Sequence, residues 1–392
     1  MILRDNSRPT LELSLSDQLL PFSVNLGQEL VFGSKSLSRI GPIVQKMHVD
    51  KILLITDQGI CQAGHLETVK SSLCGSDIES VIFDKVQENP SSYSVEETAK
   101  TVSGELFDLI VAIGGGSVMD TAKAVNFLLT NGGRIKDYKG YGKAHNPMFP
   151  SIGVPTTAGT GSEAQSYAVV TCSSDNIKIA CGDSKARFKT VILDPHLLET
   201  VPRDVVATTT LDALSHAVES LVSRNSHPIS RMYSCWSWKL LEKTCEQVAK
   251  RGKQRDLGQM MIGSYLAGMA VELSMLGAAH ACANPLTSRY PIRHGVAVSL
   301  ILPQVIIFNG RKVSSRYQLL EGIDSDSPVE TLATRLETLR MHFGLPKSLS
   351  ELGVSMSSIA EMAEEAEGQW TGRFNPIPLT AEAAVGIYKA SL

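Results

Sequence analysis

The sequence predicts an α/β N-terminal half, residues 1–203, followed by an all-helical C-terminal half, residues 204–392. Three observations lead there. Short apolar, β-branched runs alternate with helical spacings over the first part of the chain. One of these runs leads directly into a glycine cluster and a further helical stretch. Beyond Arg203 the apolar residues recur at threes and fours, and strand-like runs become rare. A chain of 392 residues is too long for one ordinary core, so two domains are expected, joined near Pro202.

Taken in order, Ser23–Phe32 reads as a hairpin preceding the first helix. Lys51–Thr56 (KILLIT) reads as a buried strand ending at the turn Asp57-Gln-Gly. Cys61–Leu73 has helical spacing, and Val81–Phe83 is another short strand-like run. Ser94–Gly104 reads as a helix, with Ser94 as its cap and Glu97 three residues on in a capping-box pattern. Leu109–Ile113 is a strand, followed by Gly114-Gly-Gly-Ser and a helix over Val118–Leu129. Strand and helix alternating at this spacing predict a parallel sheet with helices on both faces. In the second half, Leu211, Leu214, Ala217, Val218 and Leu221 mark one helical stripe, and Met261, Tyr265, Leu266 and Met269 another. No internal repeat is visible.

Hydrophobic content of 43% and charged content of 20% are those of a globular enzyme. A net charge of −3 with no basic stripe gives no sign of a nucleic-acid partner. The longest apolar stretches, such as Val296–Val305, are about half of a bilayer crossing. The first residues lack an uninterrupted hydrophobic core, which argues against a secretory signal. Seven cysteines (Cys61, Cys74, Cys172, Cys181, Cys235, Cys245 and Cys282) are irregularly spaced with no C-x-x-C, so reduced thiols in a cytoplasm are expected rather than disulfides or a cysteine zinc site.

Three segments carry candidate nucleotide chemistry. Glycines after a strand let the backbone approach a pyrophosphate, and the N-terminus of the next helix presents free N–H groups. The Gly114–Ser117 loop has that position, but it is not G-x-G-x-x-G and does not follow the first strand, so it can equally be a plain turn. Asp57, ending an earlier strand, can accept hydrogen bonds from ribose hydroxyls or simply cap its turn. Pro155-Thr-Thr-Ala-Gly-Thr-Gly-Ser162 is dense in hydroxyls and glycines and suits phosphates or an ordinary loop.

Asp212 and His216 lie four apart on one predicted helix, so both side chains share a face and can reach one ion. His280 and His294 follow. Fourteen residues of unbroken helix would hold them about 21 Å apart, but Pro285 and Pro291 let the chain bend between them. Three imidazoles and a carboxylate suit Fe²⁺ or Zn²⁺ rather than Mg²⁺ or Ca²⁺. A surface i,i+4 pair accounts for Asp212 and His216 equally well at this level.

Together these segments resemble the iron-containing alcohol dehydrogenases. The resemblance rests on Gly-Gly-Gly-Ser-x-x-Asp120-x-Ala-Lys123, Pro155-Thr-Thr-Ala-Gly-Thr160-Gly-Ser-Glu163, Asp212-Ala-Leu-Ser-His216-Ala-x-Glu219 and His294-Gly-Val, all in order, and runs from Phe22 to Phe374-Asn-Pro-Ile-Pro378 and the closing helix. It implies a Rossmann-like nucleotide domain followed by an all-α metal-binding domain, in a dehydroquinate synthase-like fold. It implies NAD as cofactor, with Asp57 setting the preference over NADP. Gly115, Gly116 and Ser117 would take the pyrophosphate, with Asp120 nearby, and Asn89, Thr156, Thr157, Thr160 and Lys178 would line the cofactor. Asp212, His216, His280 and His294 would hold Fe²⁺, with Zn²⁺ as the other candidate. A small alcohol or aldehyde would bind the metal, and a homodimer or larger homo-oligomer is expected, with no nucleic-acid or membrane partner.

Two departures qualify the resemblance. Many members carry a second histidine four residues after the third ligand, where this chain has Asn284, a residue that cannot exchange a proton near neutral pH. Asn284 is therefore expected to hydrogen-bond the substrate. Arg289 and Arg293 flank the approach to His294; either they pair with acids or solvent, or one of them, Arg289 first, positions an anionic substrate tail. The competing readings are a hydroxyacid–oxoacid transhydrogenase, a lyase of the dehydroquinate synthase type, and a silent metal- and nucleotide-binding relative.

Overall fold

The computed structural model describes residues 22–174, 177–251, 257–324 and 326–392. The first half contains β1 (Glu29–Phe32), α1 (Ile40–Gln45), β2 (Lys51–Ile55), α2 (Gln58–Gln62), α3 (His65–Cys74), β3 (Glu79–Phe83), α4 (Ser92–Val102), β4 (Leu109–Gly114) and α5 (Gly116–Asn131). It continues with β5 (Gly140–Tyr141), β6 (Ser151–Pro155), β7 (Tyr167–Thr171), β8 (Lys178–Gly182) and β9 (Thr190–Leu193). Six strands pair in the order β1-β9-β6-β4-β2-β3, all parallel. A smaller sheet, β5-β8-β7, pairs β7 antiparallel to β8.

Central strands buried on both faces need apolar residues at every position. Ile52-Leu-Leu-Ile55 and Leu109-Ile-Val-Ala-Ile113 are fully buried. Their side chains alternate between two cores: Leu53, Ile55, Ile110 and Ala112 pack with α4 and α5, while Ile52, Leu54, Leu109, Val111 and Ile113 pack with α1 and α3. The expected layering of helices on both faces is thus present. Each such side chain contributes about 1.5–3 kcal/mol on burial.

Several local expectations are corrected. Ser23–Phe32 forms no hairpin: Phe22–Gln28 has no strand, and β1 pairs in parallel with β9 instead. Gln28 explains the preference, because its amide donates to the carbonyls of Glu163 and Phe188 and thereby ties this segment to the sheet. The helix expected over Cys61–Leu73 is broken into α2 and α3 at Gly64, which has φ +80°. The cap of α4 is Ser91 rather than Ser94. Ser91 Oγ accepts from the Ser94 N–H at 3.0 Å, and the Ser91 N–H donates to Ser94 Oγ, also at 3.0 Å, so a second serine fills the role expected for Glu97. Strands β7, β8 and β9 were not anticipated.

The second half is helical among the described residues. It comprises α6 (Arg203–Val222), α7 (Pro228–Arg251), α8 (Leu257–Ser274), α9 (Ala278–Arg289), α10 (His294–Tyr317), α11 (Pro328–His342), α12 (Ile359–Gly368) and α13 (Ala381–Ser391). α6 is the central helix, packed by α7, α8 and α10, and nearly every residue from Val206 to Val222 is buried. No single described helix is long and apolar enough to cross a membrane. The chain turns by 107° between α8 and α9, and this corner aims α9 back at α6.

Candidate active site

A cleft of about 890 Å³ runs between the parallel sheet and the helical half. At one end lie the C-terminal ends of β2 and β4, adjacent strands whose chains continue to opposite sides of the sheet. Ligands of open α/β sheets collect at such a point. Asp57 follows β2, caps α2 by accepting from the Ile60 N–H at 3.0 Å, and lines the cleft. Gly115 caps α5 without any side-chain bond, so the first N–H groups of a 16-residue helix are left for a ligand.

The glycine at 116 is required by packing. A Cβ there would sit 2.6 Å from Thr160 Cγ2 and 2.7 Å from Thr160 Oγ1. The 156–162 loop therefore closes directly onto the turn, and its Thr156, Thr157 and Thr160 line the same cleft. Asn89 completes this end in a left-handed conformation, φ +52°, which Asn tolerates well. Its N–H donates to Ser117 Oγ at 3.1 Å.

Beneath the loop, Lys123 is buried and donates to the Ser162 carbonyl at 2.7 Å, to Ser162 Oγ at 2.8 Å and to the Tyr167 carbonyl at 2.5 Å. Ser162 Oγ in turn donates to Asp120 Oδ1 at 2.5 Å. Burial pushes the Asp120 carboxyl up and the Lys123 ammonium down, each opposed by the other's charge. Sequence reasoning assigned Lys123 no role; the structure makes it the support of the hydroxyl-rich loop. Lys178, from β8, also lines the cleft, and burial lowers its pKa against the opposing charges of Asp212 and Asp120.

At the other end three helices converge. α6 supplies Asp212 and His216, α9 supplies His280, and His294 is the first residue of α10. From Asp212 Oδ1, His280 Nε2 lies at 3.6 Å, His216 Nε2 at 3.7 Å and His294 Nε2 at 3.9 Å. Asp212, His280 and His294 each offer one ligand atom within 4.8 Å of the others. Asp212 Oδ1 and His280 Nε2 are buried and have no hydrogen-bond partner among the described residues. A buried carboxylate oxygen without a donor costs about 1–3 kcal/mol or more, and a divalent ion satisfies it together with the facing imidazoles. The donor set fits Fe²⁺ or Zn²⁺.

The bend between His280 and His294 differs from the expected one. α9 continues through Pro285 to Arg289, and the reversal occurs over Tyr290–Arg293, which contains Pro291. Pro285 lies inside α9, where it cannot donate to the Ala281 carbonyl, yet the helix runs on to Arg289.

Glu219 is the residue that sequence reasoning quoted without a role. It lies on α6 seven residues beyond Asp212 and three beyond His216, which puts all three on one face. Glu219 is buried, takes a hydrogen bond from His280 Nδ1 and accepts from the Ala279 N–H at 2.6 Å. That bond fixes the His280 tautomer with Nε2 facing Asp212. Burial opposes the His280 imidazolium, but the Glu219 and Asp212 carboxylates outweigh it and carry the group up to about 9. For His294 and His216 burial prevails, and both are lowered. Asp212 is likewise opposed by burial, yet the surrounding imidazoles hold it below the usual carboxylate range. Asn375, within the quoted Asn-Pro-Ile-Pro stretch, accepts from the Ala278 N–H at 3.2 Å and so helps to seat α9.

Asn284 lines the cleft one turn beyond His280, and its Nδ2 donates to Gln369 Oε1 at 3.0 Å. Arg289 is placed elsewhere. Its guanidinium is paired with Glu361 and Glu365 of α12 and does not line the cleft, because the helix has turned that face toward α12. Arg293 does line the cleft and pairs with Asp204. Every other residue expected at the cofactor or metal lines this one cleft.

Comparison with known proteins agrees with this geometry. Residues 27–195 match the family model for iron-containing alcohol dehydrogenases, and residues 206–392 match that of the C-terminal region of the Fe-containing alcohol dehydrogenase family. The chain is 30% identical to the NAD-dependent methanol dehydrogenase of Bacillus methanolicus over 92% of its own length and 97% of that protein. It is 32% identical to alcohol dehydrogenase 4 of Saccharomyces cerevisiae over 91% of its own length and 95% of that protein. Among solved structures, an alcohol dehydrogenase from Oenococcus oeni superposes with a TM-score of 0.90 at 28% identity, covering 95% of this chain and all of that one. With the glycine turn, the buried carboxylate and the three imidazoles in one cleft, the chain belongs to the iron-containing alcohol dehydrogenase family and is an NAD-dependent, divalent-metal oxidoreductase.

Proposed function

We propose that this protein interconverts a small alcohol and its aldehyde with NAD(H), holding the metal through Asp212, His216, His280 and His294. The observation that carries the reading is a single cleft with an uncapped glycine turn at one end and an unsatisfied carboxylate facing imidazoles at the other. When bound, the divalent ion supplies Lewis acidity and NAD exchanges hydride.

The chain's own groups orient and exclude. Asp57, Asn89, Ser117 and the 156–160 threonines fix the nucleotide end, with Gly115 and Gly116 allowing close backbone approach. Lys178, half-buried, lies between the two ends, within the field of both Asp212 and Asp120. Asn284 takes no proton, so the alcohol proton leaves by another group, water or a cofactor hydroxyl. An anionic substrate tail finds little support, since Arg289 is engaged by two glutamates outside the cleft and Arg293 by Asp204.

A homo-oligomer in the cytoplasm accompanies this reading. The free edge of β1 and the segment before it expose Phe22, Leu26, Leu30 and Phe32, an apolar margin suited to a second copy. No disulfide joins any of the seven cysteines.

The test is oxidation of NADH by Fe²⁺-reconstituted protein across neutral and acidic short aldehydes. Turnover on neutral aldehydes is expected, falling at least about a thousandfold in His280→Ala. Exchange between a hydroxyacid and an oxoacid without free NADH would instead identify a transhydrogenase. NADH binding with no turnover on any aldehyde would identify a silent binder.

A further inference from the structure

One buried ion pair joins the two halves of the chain outside the cleft. Glu272 lies on α8, in the helical half, and pairs with the Arg187 guanidinium of the α/β half; the two side chains are 5% and 13% exposed. The same carboxylate holds Ser166, the residue just before β7. The Ser166 N–H donates to Oε2 at 2.8 Å, and the Ser166 hydroxyl donates to Oε1 at 2.8 Å. Arg187 also donates to the Asn25 carbonyl at 2.6 Å. Two turns earlier on the same face of α8, Tyr265 donates to Gln28 Oε1 at 2.7 Å, and Gln28 in turn holds the Glu163 carbonyl.

Stability alone does not account for the pair. Taking two charges out of water costs about as much as their attraction gains, and apolar residues of similar volume often replace them without loss. Such a pair supplies direction instead: a carboxylate locked by a buried guanidinium fixes whatever donates to it. Here the fixed group is the peptide between Gln165 and Ser166. Gln165 lines the cleft and donates from Nε2 to the Thr160 carbonyl at 3.0 Å. Thr160 lines the cleft too and packs on the Gly116 turn. Between them stand Gly159 and Gly161, whose backbone freedom has to be restrained from outside. Lys123 holds this loop from below through Ser162, and Glu272 holds its exit through Ser166.

Resting on the dehydrogenase reading above, we propose that Glu272, locked by Arg187, is a positioning residue for NAD(H), setting the Gln165–Thr160 wall from the helical half. The nucleotide end is then a shared site, although its glycine turn belongs to the α/β half. Neither Lys178 nor any metal-ligand candidate bonds to Glu272, Arg187 or Ser166 among the described residues, so the metal end does not depend on this tie.

The test is NADH binding to metal-free protein, followed by nucleotide fluorescence, with Zn²⁺ affinity measured separately by competition with a chelator. The variant is Glu272→Met combined with Arg187→Met, which removes both charges and keeps most of the volume. Its Tm is expected close to that of wild type, its NADH affinity about tenfold lower and its Zn²⁺ affinity unchanged. Glu272→Gln retains an acceptor for Ser166 and should keep most of the NADH affinity. Ser166→Ala, which leaves the ion pair in place, should lose about threefold and serves should the double variant fail to fold. NADH affinity equal to wild type in the folded variant overturns the positioning role and leaves the pair a tie between the halves. A parallel loss of NADH and Zn²⁺ affinity overturns it as well, making the pair a general brace. Either result leaves the dehydrogenase reading standing, whereas wild-type protein that binds no NADH removes that reading and the role with it.

Discussion

The two ends of the cleft are built by opposite means. At the end proposed for the nucleotide, the groups that line the cleft are backbone N–H groups and short hydroxyls on turns after β2, β4 and β6, and the sheet behind them only fixes where the turns lie. At the end proposed for the metal, the candidate ligands are long side chains on faces of buried helices, and among the described residues only His294, which starts α10, stands at a turn. A turn tolerates graded change because several N–H groups share one ligand. A helix face does not, since each side chain fills one position and leaves a buried unpaired partner when lost.

That contrast is exposed to test, beginning at the metal end. Glu219→Gln keeps the shape but weakens the hold on His280 Nδ1, and metal affinity should fall about 10–100-fold, measured by competition with a chelator. Unchanged affinity would reduce Glu219 to a support of the α9 backbone. At the nucleotide end, Gly116→Ala forces a methyl group against Thr160 and should weaken NADH binding about tenfold while costing about 1–3 kcal/mol in stability. NADH titration and urea unfolding check the two effects separately, and a complete loss of binding would erase the contrast.

Between the ends, Glu163 offers a pH effect. Burial raises its carboxyl to about 7, with the Lys123 charge opposing and Asp120 adding. The folded state therefore prefers the protonated form, and this contribution is full below about pH 4.5 and is lost as pH rises through about 7. Wild-type Tm should decline between pH 5 and pH 8 relative to Glu163→Gln, by up to roughly 2–3 kcal/mol in stability. Parallel curves would remove Glu163 as the source. Arg289→Ala should do least: less than about 1 kcal/mol in stability and no change in KM for neutral or acidic aldehydes, because its partners lie on a partly exposed helix surface. A raised KM for acidic aldehydes alone would return Arg289 to the substrate.

The same contrast governs what could be read in the sequence. Local signals were legible: KILLIT and LIVAI announce strands buried on both sides, and the Asp212–His216 spacing announces a shared helix face. The hydroxyl-rich loop was visible by composition, but its closure onto Gly116 depends on Lys123, whose burial no local pattern reveals. β7 and β8 were missed because Tyr167–Thr171 and Lys178–Gly182 form a small side sheet, where Lys and Thr sit beside apolar residues, and β9 because it is only four residues long. Pro285 misled in the other direction, since a proline read as a bend is carried within α9. The placement of Arg289 rests on the docking of α12, which lies about seventy residues further on and has no local trace. Glu219 was in plain view at the right spacing, and its partner was hidden only because His280 arrives from another helix.

One contact sets how the cleft can open. Gly161, at φ +61°, lies so close to Gly268 of α8 that a Cβ on it would stand 2.5 Å from the Gly268 Cα. Backbone meets backbone there, with no side chain between to compress or to change rotamer. The hydroxyl-rich loop and the helical half are thus joined at a fulcrum. A side chain at either position would push the loop and α8 apart, and with them the two walls of the cleft.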